Sequence, residues 1–198
     1  MGDMASRIYV DNAATSWPKP PAVVEAVCRY LVEVGAPAGR SGYAEAIEVD
    51  RLVDATRSQL AKTIGVADAQ CVAFTANGTD ALNLALFGLL RPGDRVVTTV
   101  AEHNSVLRPL RYLEENRGID VVRCRCDPRG RVDLEAVATA LEHPTRLVAL
   151  THVSNVTGVL QPVVEVSKMA HENGAVVLID AAQSVGHLEV DVEALGAD

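Results

Sequence analysis

Short apolar runs alternate along this chain with longer stretches in which apolar residues return every third or fourth position. The runs at 71–74 (CVAF), 96–100 (VVTTV), 119–124 (IDVVRC), 147–152 (LVALTH) and 175–179 (AVVLI) predict strands. The last is apolar throughout and reads as a strand buried on both faces. Between them the helical period predicts helices over 79–90, 104–116, 134–141 and 163–173, the first ended by Arg91-Pro92-Gly93-Asp94 and the last closed by Gly174.

The front of the chain reads differently. Residues 8–10 are a brief extended piece running into a polar turn, and the prolines through Pro21 keep the backbone out of helix. From 22 to 34, Val23, Val24, Val27, Tyr30 and Leu31 recur as an amphipathic helix requires. A glycine-rich loop over 35–42 precedes a long helix over 45–64, closed by Gly65. The order βαβαβαβ that follows predicts an α/β fold of three layers, αβα, with a mostly parallel sheet.

Composition narrows this picture. At 198 residues, with 48% hydrophobic and 22% charged positions, the chain is long enough for one well-buried domain and a fraction of a second. A formal net charge of -8 argues against nucleic acid or an anionic membrane as partner, and the cluster Arg123, Arg125, Arg129 and Arg131 reads as a solvated edge. Cys28, Cys71, Cys124 and Cys126 form no C-x-x-C pair, so neither a metal site nor a disulfide framework is expected, and a reducing, cytoplasmic setting fits. They read as packing residues, Cys28 on a helix and the others on strands. No run reaches the roughly 18 apolar residues of a membrane span. The N-terminus lacks the apolar segment of a secretory signal but matches the loose myristoylation pattern at Gly2 and Ser6.

Candidate chemistry gathers where strands end. Asp180 closes the last apolar run, with Gln183 three positions on; it either caps a following turn or holds a ring nitrogen protonated, with the Gln183 amide on a ring hydroxyl. Gly78 and Thr79 open a helix directly after a strand, which makes either plain capping or a phosphate site. His103 follows another strand and is either a loop residue or a group that stacks on a planar ligand or moves a proton. Asn155, near Gly158, reads as turn chemistry or as an amide delivered to the same rim. Four strands bringing such groups to one edge is harder to assign to chance than any one of them. Neither G-x-x-x-x-G-K-[ST] nor G-x-G-x-x-G after a strand is present, which weakens an ordinary nucleotide site.

The motifs DNAAT at 11–15, FTANGTDALN at 74–83, EHNS at 102–105, SNVTG at 154–158, Gln161-Pro162 and DAAQ at 180–183 together resemble the class V aminotransferase family, in its cysteine desulfurase and selenocysteine lyase branch. The resemblance covers essentially the whole chain. It implies a fold-type I pyridoxal 5'-phosphate enzyme, normally a homodimer, acting on cysteine or selenocysteine to leave alanine and passing sulfur to an acceptor protein. It further implies Gly78 and Thr79 as phosphate ligands, His103 over the pyridine ring, Asn155 towards cofactor and substrate, Asp180 on the ring nitrogen and Gln183 on the ring hydroxyl. Asn12, Ala13 and Arg40 are implied on the substrate side.

The same resemblance implies a domain division into an arm and helix over 1–42 and a partial cofactor-binding domain over 43–198. The family's cofactor-anchoring lysine, its nucleophilic cysteine and its small domain are expected beyond Asp198. Lys19, Lys62 and Lys168 match none of that pattern. A chain of these residues alone is therefore expected to be inactive, with an unpaired sheet edge that favours association. Two other readings remain: another aminotransferase or lyase of the same class, and a non-catalytic binding or dimerisation module.

Overall fold

A β-strand that is followed by a helix and then by a parallel neighbour must cross over right-handedly, so the direction of each step decides which face its helix covers. That rule organises the second of the two compact units, residues 1–59 and 60–198, into which the chain divides. The computed structural model describes residues 8–198, and the Gly2–Ser6 pattern lies outside them.

In the first unit, helix α1 (Pro21–Arg29) begins at a proline whose fixed φ suits a first helical position. It runs on as one π-type turn, Tyr30–Val34, closed where the Gly35 N–H reaches back to the Tyr30 carbonyl at 2.8 Å. The predicted helix over 22–34 is thus present in two parts. Helix α2 (Ala44–Thr63) follows the loop. Ala36, Ala46 and Val49 form a small buried cluster with Val34 and Val53 against it.

In the second unit, α3 (Gly78–Leu89), β1 (Arg95–Thr99), α4 (Asn104–Arg117), β2 (Asp120–Cys124), α5 (Leu134–Leu141), β3 (Leu147–Thr151), α6 (Val163–Glu172), β4 (Val176–Asp180) and α7 (Val192–Leu195) follow one another. The four strands are parallel in the order β2-β1-β3-β4. Alternation along each strand feeds two cores. Val96, Val121, Leu147 and Ala149 face α3 and α4, packing with Leu86, Val106, Leu110 and Leu113. Val97, Cys124, Val148, Leu150 and Val177 face α5 and α6, packing with Val137, Leu141, Val163 and Val166. The expected three-layer α/β architecture is therefore present.

Three expectations need correction. Residues 71–74 form no strand: the Asp68 carboxylate accepts the Gln70 N–H at 2.9 Å and closes a single 3-10 turn, Ala69–Cys71, leaving Val72 extended but outside the sheet. A local acceptor has outcompeted a ladder. Cys71 is consequently exposed, as is Cys28 on α1, so neither is a packing residue; Cys124 is buried and Cys126 half-buried as expected. The periodicity also missed α7, which Asp191 caps through the Ala194 N–H at 2.8 Å. Gly65 admits that carboxylate: its φ is +73° and a Cβ there would collide with the Asp191 side chain. The arginine cluster is indeed a solvated edge, with Arg123 on Glu114, Arg125 on Asp133 and Arg131 near Glu165.

Candidate functional site

The chain steps from β1 outward to β2 through α4 and from β3 outward to β4 through α6, and the two helices lie on opposite faces. The crevice beyond the C-terminal ends of β1 and β3 is the topological switch point at which open α/β sheets take ligands. The segments 100–105 and 152–162 border it.

From the α3 side, Asn77 caps the helix by accepting the Asp80 N–H at 2.9 Å. The Gly78 and Thr79 N–H groups take no acceptor among the described residues. A Cβ built on Gly78 would meet nothing within 4 Å, so the approach to these donors is open. The Thr79 hydroxyl bonds to Ser105 Oγ at 2.7 Å, and Ser105 Oγ lies 2.9 Å from His103 Nδ1. The Ser105 N–H also points at Nδ1, at 3.1 Å, which makes Nδ1 the acceptor and places the ring proton on Nε2. His103 is exposed, and Ser105 beneath it is buried. Thr79, Asn83, Phe87, His103, Ser105 and Arg108 line a cleft of about 560 Å³ between α3 and α4. Asp180, Gln183 and Asn155 do not line it.

Asp180 and Gln183 form a second cluster on the rim. The Asp180 carboxylate accepts the Ala182 N–H at 3.0 Å, so it does cap the following turn, and its backbone carbonyl accepts the His152 N–H at 2.9 Å. That turn is pinned from below, because Ser184 is wholly buried and bonds to both His152 Nδ1 (2.9 Å) and the Ala181 carbonyl (3.1 Å). Burial lowers the His152 pKa and keeps the ring neutral. Asn155 is exposed in a turn that Ser154 Oγ holds through the Val156 and Thr157 N–H groups, with Gly158 at φ +69°. The turn is closed by the antiparallel bridge Val153↔Leu160.

Asn12, Ala13 and Arg40 belong to the first unit. Asn12 Oδ1 accepts the Trp17 N–H at 3.2 Å, and Arg40 follows Gly39, whose N–H is held by Asp50 at 2.6 Å; all three are exposed.

Sequence reasoning missed Ser105, His152, Ser184, Arg108 and above all Glu102. Glu102 is 6% exposed, accepts the Thr99 hydroxyl at 2.7 Å, and is pushed up to about 7 by burial, with the Asp180 charge adding to the shift and the Thr99 and Thr151 hydrogen bonds opposing it. Its sequence signals were an acid just beyond an apolar run and a place in the EHNS motif, neither of which says that it is enclosed. The Cys124 and Cys126 thiols are raised by burial, away from the nucleophilic thiolate state. Among the described residues no cluster of three metal-ligating side chains occurs, and no helix is long and apolar enough to cross a membrane.

Fold and rim together define a doubly wound α/β protein with two polar clusters, one where α3 and α4 begin and one in the turn after β4. The aminotransferase class-V family model matches residues 8–198, and the chain belongs to that family. A probable cysteine desulfurase from Methanothermobacter thermautotrophicus is 40% identical over 196 residues, 98% of this chain and 48% of its own length. A cysteine desulfurase from Haloferax volcanii is 35% identical over 201 residues, 99% of this chain and 47% of its own. Among solved structures, the apo cysteine desulfurase from Thermococcus onnurineus NA1 superposes with a TM-score of 0.89 at 36% identity, covering 96% of this chain and 48% of that one. The chain spans about half the length of the relatives it matches.

Proposed function

We propose that these residues form the cofactor-holding part of a pyridoxal-phosphate-dependent cysteine desulfurase, an enzyme that takes sulfur from cysteine and leaves alanine. The observation that carries this reading is the α3 N-terminus, where two unclaimed N–H groups sit beside a hydroxyl tied through Ser105 to the His103 ring. The donor set fits pyridoxal phosphate, and the open approach to Gly78 leaves room for it. When bound, that cofactor supplies an electron sink for bond breaking at the substrate α-carbon.

The Gly78 and Thr79 N–H groups would hold the phosphate at the positive end of a 12-residue helix. Ser105 fixes the His103 ring with Nε2–H outward, in the tautomer suited to stack and to donate one proton. Asp180 would hold the ring nitrogen, Gln183 would serve the ring hydroxyl, and Asn155 would serve the substrate side. The anchoring lysine and sulfur-accepting cysteine match none of the three lysines and four cysteines here, so these residues alone hold the cofactor without completing the reaction. For the whole protein the same reading carries a homodimer, a cytoplasmic setting, a sulfur-acceptor partner and selenocysteine as second substrate.

Titration of the chain with pyridoxal phosphate, followed by visible absorbance, tests this. Saturable binding is expected, weakened about tenfold or more by Thr79→Val and by His103→Ala. Absence of binding, or sulfide release from cysteine well above that of free cofactor, refutes it. The family model also favours a second reading, an aminotransferase, for which keto-acid formation by the whole protein without sulfide is the signature.

A further inference from the structure

The turn after β4 and the turn after β3 meet below the rim at one buried side chain, His152. Its N–H donates to the Asp180 carbonyl at 2.9 Å, and its own carbonyl accepts the Gln161 N–H at 2.9 Å. Its Nδ1 lies 2.9 Å from Oγ of Ser184, which is wholly buried. Gln161, buried as well, carries the connection onward. Its Oε1 accepts the Val132 N–H at 2.9 Å and its Nε2 donates to the Gly130 carbonyl at 2.8 Å. The Gln161-Pro162 motif, which the proposed function leaves without a role, is thus the far end of a buried polar line.

The proton on that line has a definite place. Ser184 Oγ lies 3.1 Å from the Ala181 carbonyl, and two oxygens so close in a dry interior repel unless a proton stands between them, so the hydroxyl donates there. Towards His152 it is then an acceptor, which requires the ring proton on Nδ1. The arrangement is the reverse of His103, whose Nδ1 accepts. Burial, which lowers the His152 pKa, keeps the other ring nitrogen bare.

We infer that His152 is a positioning residue: held in its Nδ1–H form by Ser184, it ties the turn carrying Asp180 and Gln183 to the segment carrying Asn155, while Gln161 ties both to the turn over 127–132. Removing any one of these side chains leaves a buried donor or acceptor unmet, so the line holds the two turns in one arrangement. His152 acts through Asp180 and Gln183 and touches no ligand itself. The consequence for a cofactor rests on the proposed function; the tautomer and the tie between the turns stand without it.

Nitrogen-15 spectra of histidine-labelled chain, with His152 assigned as the resonances lost in His152→Asn, read the tautomer with no cofactor present. A protonated Nδ1 and a bare Nε2 are expected, and in Ser184→Ala the population moves towards Nε2–H because the acceptor is gone. A bare Nδ1 in the unsubstituted chain, or a tautomer that Ser184→Ala leaves unmoved, overturns the inference. Amide exchange reads the tie. The Ala182 N–H, held by Asp180, is expected to exchange about tenfold faster in Ser184→Ala, with the Asp80 N–H of the α3 cap unchanged. Equal acceleration at both places marks a general loss of stability and overturns the positioning role. Pyridoxal phosphate affinity is expected to fall about tenfold in His152→Leu and to recover for the most part in His152→Asn, whose amide supplies an N–H in place of Nδ1–H. Should His152→Leu fail to fold, the spectra of the unsubstituted and Ser184→Ala chains decide. Undiminished affinity in folded His152→Leu overturns the inference and leaves the proposed function standing. If the cofactor binds none of these proteins while the tautomer and exchange results hold, the positioning role stands and the proposed function falls.

Discussion

Residues 8–59 and residues 60–198 solve the burial problem differently. In the first unit the apolar side chains of the helical stretch 21–32 stay in water: Leu31 is 70% exposed and Val32 84%, and the buried set is Ala36, Ala46 and Val49. In the second, a five-residue strand such as β3 is buried at every position, with alternate side chains serving two separate cores. The lesson concerns what periodicity means. An amphipathic helix announces only that it has an apolar side, whereas a parallel strand flanked by crossover helices brings the cover for both its faces within the same stretch of sequence.

That contrast can be broken by substitution. Leu147 is 0% exposed at the centre of the sheet, and Leu147→Ala is expected to cost roughly 4 kcal/mol in chemical denaturation. Leu31→Ala and Val32→Ala are expected to change stability by less than ~0.5 kcal/mol. Comparable losses at the two places would abolish the distinction.

A second test sharpens it with pH, because the second unit encloses an acid. Glu102 is raised to about 7 when folded, so its contribution is intact below the unfolded pKa of about 4.5 and is lost as pH rises through 7. Against Glu102→Gln, the unsubstituted chain should therefore lose on the order of 3 kcal/mol between about pH 4.5 and 8. Buried, neutral His152 acts the other way, its contribution falling as pH drops through the ordinary histidine range, and comparing the two chains at each pH removes that background. Parallel stability curves would show that Glu102 is not enclosed as described.

Smaller effects belong to the edges of the second unit. Asn77→Ala removes the α3 cap and is expected to cost about 1 kcal/mol, with pyridoxal phosphate affinity falling alongside because the first-turn N–H groups are less well ordered. Arg111→Ala removes an exposed i,i+4 pair with Glu115 and should cost no more than ~0.5 kcal/mol by thermal melting. A cap loss no larger than this surface pair would mean that α3 is held by its packing alone.

Much of the fold was legible because it depends on period. Strands at 95–99, 120–124, 147–151 and 176–180, and the helices between them, fall within a residue or two of where apolar spacing puts them. Residues 71–74 were misread because a run of four apolar-leaning residues does not say whether a partner strand exists, and Asp68 offered a nearer hydrogen bond. In the candidate site, His103 and Asp180 do follow strands, as the apolar runs before them predict, whereas Gly78 and Thr79 open α3 after an extended segment outside the sheet. Ser105 and Ser184 were not legible, since a serine in a loop has no signature until its neighbour 26 or 32 residues away is in place.

The sequence by itself determined the order of elements, the parallel sheet and the family to which the chain belongs, because these rest on local spacing and on motifs carried in the chain. Only the tertiary structure decided that Thr79, Ser105 and His103 form one hydrogen-bonded line, that Ser184 pins the turn after Asp180, and that Glu102 is enclosed with one oxygen unmet. Those facts depend on which strand ends become neighbours, and desolvation, unlike propensity, is a property of the surroundings.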